Sequence, residues 1–424
     1  MSLQQSTDVT IYCADIARRA KAASRQMVSL STDIKNRWLL ESADRLVSKA
    51  SDVLIANERD LAQSDFFGLT AAEKDRLKLT SERVEQIAQG LRDVASLADP
   101  IGEVLEGSNR PNGLEVRKVR VPLGVVFFIY ESRPNVTADA AAIAVKSGNA
   151  IILRGGKEAA NSSAAIIEIL RGAAVDTGVP FDAVQLISTP DREAVGQLLK
   201  RSDCIDVVIP RGGESLIRRV VSEATMPVLK HFDGNCHVYV DRYANLDMAL
   251  RIIENSKCQR MGVCNAMESL VVHAAIAEQF LPRLERELEK YSIQFRGDKR
   301  CIDIIPSAIE ATEQDWSQEY LGPIMSVRVV QSLEEAIEHI NQYSSRHTDA
   351  IVTDRMDMAQ KFVREIDSSA VIVNASTRFN DGGQLGMGAE IGISTDKFHA
   401  RGPCGLKELT TYKFVIQGNG HVRS

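Results

Sequence analysis

The chain of 424 residues is 44% hydrophobic and 25% charged, the profile of a soluble globular protein. At about 150 residues per domain it predicts two or three domains with sizeable buried cores. A formal net charge of −6, from 51 basic and 57 acidic residues spread over the whole length, leaves no basic stripe and argues against nucleic acid as a partner.

Met1 to Asp8 carries neither a basic segment nor an apolar run, so no signal peptide is expected and the predicted location is cytoplasmic. Apolar residues then recur at three- and four-residue steps, at Ile11, Ile16 and Ala20 and at Trp38, Leu39, Ala43, Leu46 and Val47. This spacing predicts helices through the first hundred or so residues. The turn sequence Pro111-Asn112-Gly113 predicts a hairpin-like stretch over 109–120. From Val125 the texture changes to short apolar strands, predicted over 125–129, 150–153, 184–187, 206–209 and 237–240. Helical patterns lie between them, for example over 164–174 and 193–200, and such alternation means a parallel sheet covered by helices. The longest apolar run, around Val125 to Tyr130, is far below the roughly 20 residues a membrane helix needs, so no membrane partner is expected.

A second series follows Cys264, with strands predicted over 269–272, 325–330, 350–352 and 370–373 and helices near 276–290, 333–342 and 355–366. Gly382, Gly383, Gly386, Gly388 and Gly392 then punctuate a loop-rich stretch before a strand-like ending over 410–417. The expected fold class is α/β, with two facing parallel-sheet domains and a small oligomerisation element. Residues 1–108 and 121–236 are assigned to a cofactor-binding domain, completed by 355–400, and 237–354 to a catalytic domain. Residues 109–120 and 401–424 form the oligomerisation element. A tail strand left unpaired would be a liability unless another subunit covered it, so a homo-oligomer is expected.

Neither a G-x-G-x-x-G fingerprint after an early strand nor a G-x-x-x-x-G-K-[ST] loop occurs; Gly386-Met387-Gly388 lacks the preceding strand and following helix. The seven cysteines show no CxxC spacing and read as reduced thiols. His231, Cys236 and His237 are the nearest approach to a zinc site but lack paired short spacing, and no metal is expected. Cys264, in Gly262-Val263-Cys264-Asn265-Ala266, sits at the junction of the two series, as an activated thiolate or as the buried structural thiol that spacing alone does not overturn. Asn135, in Glu131-Ser132-Arg133-Pro134-Asn135, follows the first strand at its carboxyl edge, as an oxyanion donor or as a turn residue. Arg154 and Lys157, in Arg154-Gly155-Gly156-Lys157, stand at a strand end where a ribose or phosphate could sit, or are simply solvated. Pro210, Gly212 and Gly213, in Pro210-Arg211-Gly212-Gly213, open a helix whose N–H groups can face a phosphate.

Taken together these segments resemble the aldehyde dehydrogenase superfamily, whose members bind a dinucleotide without the G-x-G-x-x-G loop. Within it the chain is most similar to the branch that reduces glutamyl 5-phosphate. The likeness is carried by Val330, Ala336-Ile337, His339-Ile340, Tyr343-Ser344-Ser345, His347-Thr348-Asp349 and Ile351. Arg133 to Thr137, Gly262 to Ala266, Asn374 to Phe379, Gly388 to Thr395 and His399 to Pro403 extend it along nearly the whole chain. The resemblance implies Cys264 as nucleophile, and Asn135 with the Cys264 backbone N–H as oxyanion donors. It implies that Glu319 holds the nicotinamide ribose, and it places Lys157 where NAD-using relatives carry a ribose-binding Glu. A cation there favours a 2′-phosphate and so NADPH/NADP as cofactor. His231, in His231-Phe232-Asp233-Gly234, stands where hydrolytic relatives carry a general-base Glu.

The implied reaction is NADPH-dependent reduction of L-glutamyl 5-phosphate to L-glutamate 5-semialdehyde with release of phosphate, through a Cys264 thioester. This is the second step of proline biosynthesis from glutamate. Arg133, Arg378 and Arg401 are charge-compatible candidates for binding the substrate, and a glutamate kinase is a candidate transient partner. A hydrolysing aldehyde dehydrogenase and an inactive scaffold are the alternatives.

Overall fold

Among residues 3–423, which the computed structural model describes, five helices come first: Leu3–Met27, Thr32–Ser48, Ala50–Ala62, Ala71–Leu77 and Ser81–Ser96. Ser31, Thr70 and Thr80 each accept a first-turn N–H, and at Thr70 the Glu73 carboxylate returns the favour by accepting the Thr70 N–H at 2.8 Å. Trp38, Leu39, Ala43 and Leu46 are buried as their spacing predicts, and Trp38 Nε1 donates to the Leu170 carbonyl at 3.0 Å. Ile11 and Val47, predicted on the same stripe, are instead exposed, so the buried face is narrower than the apolar pattern.

Contacts divide the chain into two units. The first holds the described residues up to Lys230, Gly386–Gly392 and those from Cys404 onward; the second holds His231–Leu385 and Ile393–Pro403. In the first unit β1 (Val104–Asn109) and β2 (Glu115–Pro122) form an antiparallel hairpin turned through Gly113, whose φ is +92°. The terminal strand Thr410–Gln417 pairs antiparallel with β2 along its whole length, so the tail strand expected to be unpaired finds its partner in its own chain.

The same unit carries a four-stranded, wholly parallel sheet of β3 (Val125–Ile129), β4 (Ala150–Arg154), β5 (Val184–Leu186) and β6 (Val207–Pro210), in the order β5-β4-β3-β6. Every residue of β3 is buried, which is why it reads as a continuous apolar run rather than an alternating one. The order reverses at β3, where β4 lies on one side and β6 on the other. In open parallel sheets that switch point opens a crevice at the carboxyl ends of the strands.

The second unit is a seven-stranded sheet of β7 (Cys236–Val240), β8 (Met267–His273), β9 (Gln294–Gly297), β10 (Ile309–Glu310), β11 (Ile324–Val330), β12 (Thr348–Val352) and β13 (Ala370–Val373). The order is β10-β9-β11-β8-β7-β12-β13 and every pairing is parallel. Alternate residues serve two cores. Val238, Val240, Leu270 and Val272 pack with Phe280, Leu281 and Leu284, while Tyr239, Val271 and Ile351 pack with Ile337, Ile340 and Phe362. Both faces are thereby covered by helices. β13 is a strand of this sheet and the helix Met356–Glu365 packs on it through Phe362, so most of 355–400, assigned from the sequence to the cofactor domain, falls in the second unit. No helix among the described residues is long and apolar enough to cross a membrane.

Candidate active site

Because every strand of the seven-stranded sheet runs the same way, the segments leading into its strands converge on one edge. Gly234 leads into β7, Cys264 into β8, Glu319 into β11 and His347 into β12. This is the amino edge, opposite to the carboxyl edge where ligands of parallel sheets usually gather.

Gly234 lies directly on the thiol-bearing residue. A Cβ built on it would fall 2.0 Å from the Cys264 carbonyl oxygen and 2.5 Å from its Cα, which leaves room for glycine alone. The Gly234 N–H donates to Glu319 Oε1 at 3.0 Å, and the Cys236 thiol donates to the Cys264 carbonyl at 3.1 Å. The Cys264 backbone is thus fixed from two sides, and Glu319 is tied to the same glycine. Gly234→Ala is expected to lose about 100-fold in turnover, the scale of a displacement of about 1 Å at a reacting group. Overpacking should also lower stability by about 1–3 kcal/mol. Steady-state kinetics with a parallel thermal melt checks this; full turnover would show that the contact does not position the thiol.

Burial pushes the thiols of Cys13 and Cys258 up to about 11 and Cys301 up to about 12, and holds Cys236 well above the ordinary thiol range, so these four stay protonated at neutral pH. Cys264 itself is half-buried. Lys257 and Glu268, the latter on β8 just after Cys264 in the chain, form a fully buried ion pair. Glu268 Oε1 also accepts the Leu321 N–H at 3.1 Å, holding Leu321 at a φ of +54° two residues beyond Glu319. Burial pushes the Glu268 carboxyl up to about 7 and the Lys257 ammonium down, each opposed by the other's charge. The Glu319 carboxyl is also raised by burial, with the Gly234 N–H opposing.

His231 directs Nδ1 at the Ile393 carbonyl, 2.9 Å away, with its ring edge-on to His347. His237 Nδ1 faces Asp349 Oδ1 at 3.0 Å, so these two histidines engage different elements. Arg378 donates from Nε to Gln259 Oε1 at 2.9 Å and lines a cavity of about 270 Å³ in the second unit. Burial lowers its pKa; Asp381 is the strongest opposing charge, and Cys264 is among the others. Arg401 lies elsewhere, with its guanidinium on Asp367 Oδ1 at 2.9 Å and on the Asp367 carbonyl at 3.0 Å, so its charge is already matched.

In the first unit, the loops after β3, β4 and β6 line a cavity of about 630 Å³ at the carboxyl edge of the four-stranded sheet. Arg133, Arg154, Lys157, Gly212 and Gly213 all border it, joined by Arg76, Arg192 and Arg219, which the sequence did not single out. Lys157 Nζ stands 4.7 Å from the Phe67 ring centroid, and Arg154 donates to the Pro190 carbonyl at 3.2 Å. A Cβ on Gly156 would meet Ser132 Oγ at 2.2 Å, so the β4 loop presses close to the β3 loop. The helix Glu214–Glu223 starts at Gly213 without a side-chain cap, leaving first-turn N–H groups for an anion. Size, cations and open helix terminus suit the phosphates of a dinucleotide. Asn135, in the first turn of the helix Pro134–Lys146, donates from Nδ2 to Asp139 Oδ2 at 3.0 Å; burial pushes that carboxyl up to about 6.

Sequence reasoning missed Gly234, Asp381 and the Lys257–Glu268 pair. Only the pair left a local signal, a glutamate inside a wholly buried strand beginning Met267-Glu268-Ser269-Leu270.

The aldehyde dehydrogenase family model matches residues 12–308 and 304–415. A gamma-glutamyl phosphate reductase from Rhodopirellula baltica is 61% identical over 419 residues, covering 99% of this chain and 96% of that protein. One from Caldanaerobacter subterraneus is 52% identical over 407 residues, covering 96% and 98%. The crystal structure of a gamma-glutamyl phosphate reductase from Thermotoga maritima superposes with a TM-score of 0.95 at 45% identity, covering 97% of this chain and 100% of that one.

Proposed function

Since the chain belongs to the aldehyde dehydrogenase family, and within it to the gamma-glutamyl phosphate reductases, we propose that it reduces L-glutamyl 5-phosphate to L-glutamate 5-semialdehyde with NADPH, in proline biosynthesis. The observation that carries the mechanism is the stacking of Gly234 on Cys264, which fixes the nucleophile's backbone and ties it to Glu319.

The Cys264 thiolate attacks the acyl carbon, the carbon–oxygen bond to phosphate breaks, and a thioester forms. Bound NADPH supplies the hydride that reduces this thioester. The hemithioacetal oxyanion then reforms a carbonyl and expels the Cys264 thiolate, releasing the semialdehyde. Asn135 and the Cys264 backbone N–H stabilise both oxyanions, each donor worth on the order of 2.7–4 kcal/mol. Asp139 accepts one hydrogen of the Asn135 amide and leaves the other for substrate. Glu319 holds the nicotinamide ribose. Lys157 with Arg154, Pro210, Gly212 and Gly213 holds the phosphates and the 2′-phosphate. Arg133, bordering the same cavity, remains a candidate for a substrate anion. A cytoplasmic homo-oligomer is part of this reading, supported by Tyr412, Phe414 and Ile416, which are exposed on the edge strand Thr410–Gln417. A glutamate kinase that hands over the labile acyl phosphate completes it.

The test is oxidation of the semialdehyde by purified protein with phosphate and either NADP or NAD. Sustained NADPH formation is expected, and its absence with both nucleotides would defeat the reading. In the same assay Lys157→Glu should shift cofactor preference from NADP towards NAD by about tenfold to a hundredfold. It replaces a charge-assisted contact worth about 1.5–3 kcal/mol by repulsion. An unchanged preference would remove Lys157 as the selector.

A further inference from the structure

The cavity beside Arg378 has a composition that the chemistry at Cys264 does not require. Its walls are Asn255, Gln259, Arg378, Phe379, Asp381 and Gln384, so one cation and one carboxylate share a small space with amides. Both charged groups are held in place. Arg378 donates through Nε to Gln259, which leaves its two Nη groups to grip a carboxylate. Asp381 Oδ1 accepts the N–H groups of Gly383 at 3.0 Å and Gln384 at 3.2 Å, so the carboxylate is fixed by its own turn. The wall is also keyed to the thiol. Asn265, the residue after Cys264, donates from Nδ2 to the Asn380 carbonyl at 3.0 Å, between Arg378 and Asp381 in the chain. A volume of about 270 Å³ exceeds that of five water-sized atoms at about 30 Å³ each, the extent of an α-carbon with its ammonium and carboxylate.

We propose that this cavity receives the α-amino-acid head of the substrate, with Arg378 taking the carboxylate and Asp381 the ammonium. Opposite fixed charges select a zwitterion over either singly charged analogue, because each analogue leaves one of the two half-buried charges unmatched. The assignment rests on the reductase reading and supplies the specificity that reading lacks.

Three aldehydes separate the two ideas: glutamate 5-semialdehyde, 5-oxopentanoate, which lacks the ammonium, and 4-aminobutanal, which lacks the carboxylate. Each is oxidised with phosphate and NADP by wild type, Asp381→Asn, Arg378→Gln and Arg378→Lys, and kcat/KM ratios are compared. Ratios between variants cancel the different tendencies of these aldehydes to cyclise. Asp381→Asn should cut the preference for the semialdehyde over 5-oxopentanoate on the order of tenfold to a hundredfold. Arg378→Gln should cut the preference over 4-aminobutanal by a similar factor, and Arg378→Lys by less, since it keeps the charge without the fork. A loss shared equally by all three aldehydes overturns the proposal and leaves the reductase reading intact. If wild type oxidises none of them, that reading fails, and calorimetric titration with L-glutamate decides the pocket. Binding weakened by Asp381→Asn and by Arg378→Gln upholds it; no binding to wild type, or equal binding to all four proteins, overturns it.

Discussion

Cys264→Ser is expected to keep the fold and NADPH binding while losing turnover on the order of 10⁴–10⁶-fold, the scale on which removal of a covalent nucleophile is felt. The contacts that fix this residue, from Gly234 and from the Cys236 thiol, are made to its backbone, so exchanging sulfur for oxygen leaves them in place. What changes is the chemistry. A hydroxyl without an adjacent base is a weak nucleophile, and an alkoxide is a poor leaving group when the hemithioacetal counterpart must collapse. Cys258→Ser is the control. That thiol ends the helix Leu246–Cys258, and burial pushes it up to about 11, so its replacement should leave turnover close to wild type. Initial rates, cofactor fluorescence titration and alkylation with and without substrate read the comparison. Equal losses in the two variants would mean that the nucleophile has been misassigned.

The parts of the fold legible in the sequence are strands written as apolar or β-branched runs, whether wholly buried, as 125–129 is, or largely exposed, as 410–417 is. Strands 125–129, 370–373 and 410–417 fall where the apolar runs place them. The edge strand β10 and its neighbour β9, which reads Gln294-Phe295-Arg296-Gly297, carry no such run and were invisible; the pairing of β9 with β11 and with β10 defines them. The tail shows the limit most clearly. Its alternation identified a strand, yet its partner β2 lies almost 300 residues earlier, a pairing that periodicity does not encode. The site follows the same rule. Cys264, Asn135 and Glu319 are assigned through resemblance alone, and the cavity-lining glycines Gly212 and Gly213 through their place after a strand. Arg401 looked as suitable as Arg378 for an anionic substrate, but tertiary structure gives it Asp367, whereas Arg378 is turned to a cavity. Gly234 sits 30 residues before Cys264, so no local pattern announces that the two backbones touch.

Oxidation of the semialdehyde is expected to depend on phosphate, because after hydride departure a thioester remains on Cys264 and some nucleophile must resolve it. Water requires a placed base at neutral pH, and such a base typically contributes about 10²–10⁴-fold. Phosphate is already anionic and needs only to be positioned by cations. Where hydrolytic relatives carry a flexible carboxylate, this chain has His231, whose Nδ1–H donates to the Ile393 carbonyl at 2.9 Å. That bond fixes the ring by backbone and sets the tautomer, leaving Nε2 as the nitrogen able to take a proton. A ring held in this way is less free to reorient towards a water than an untethered carboxylate is. Mixing protein, semialdehyde and NADP in phosphate-free buffer should therefore give a burst of NADPH limited to one turnover per site, then a stall. Addition of phosphate should restart turnover, with a rise of about 10²–10⁴-fold over the stalled rate. Mass spectrometry of the stalled protein should find the acyl group on the peptide that contains Cys264. Sustained turnover without phosphate, abolished by His231→Ala, would show Nε2 acting as the base and would make the chain a hydrolytic dehydrogenase.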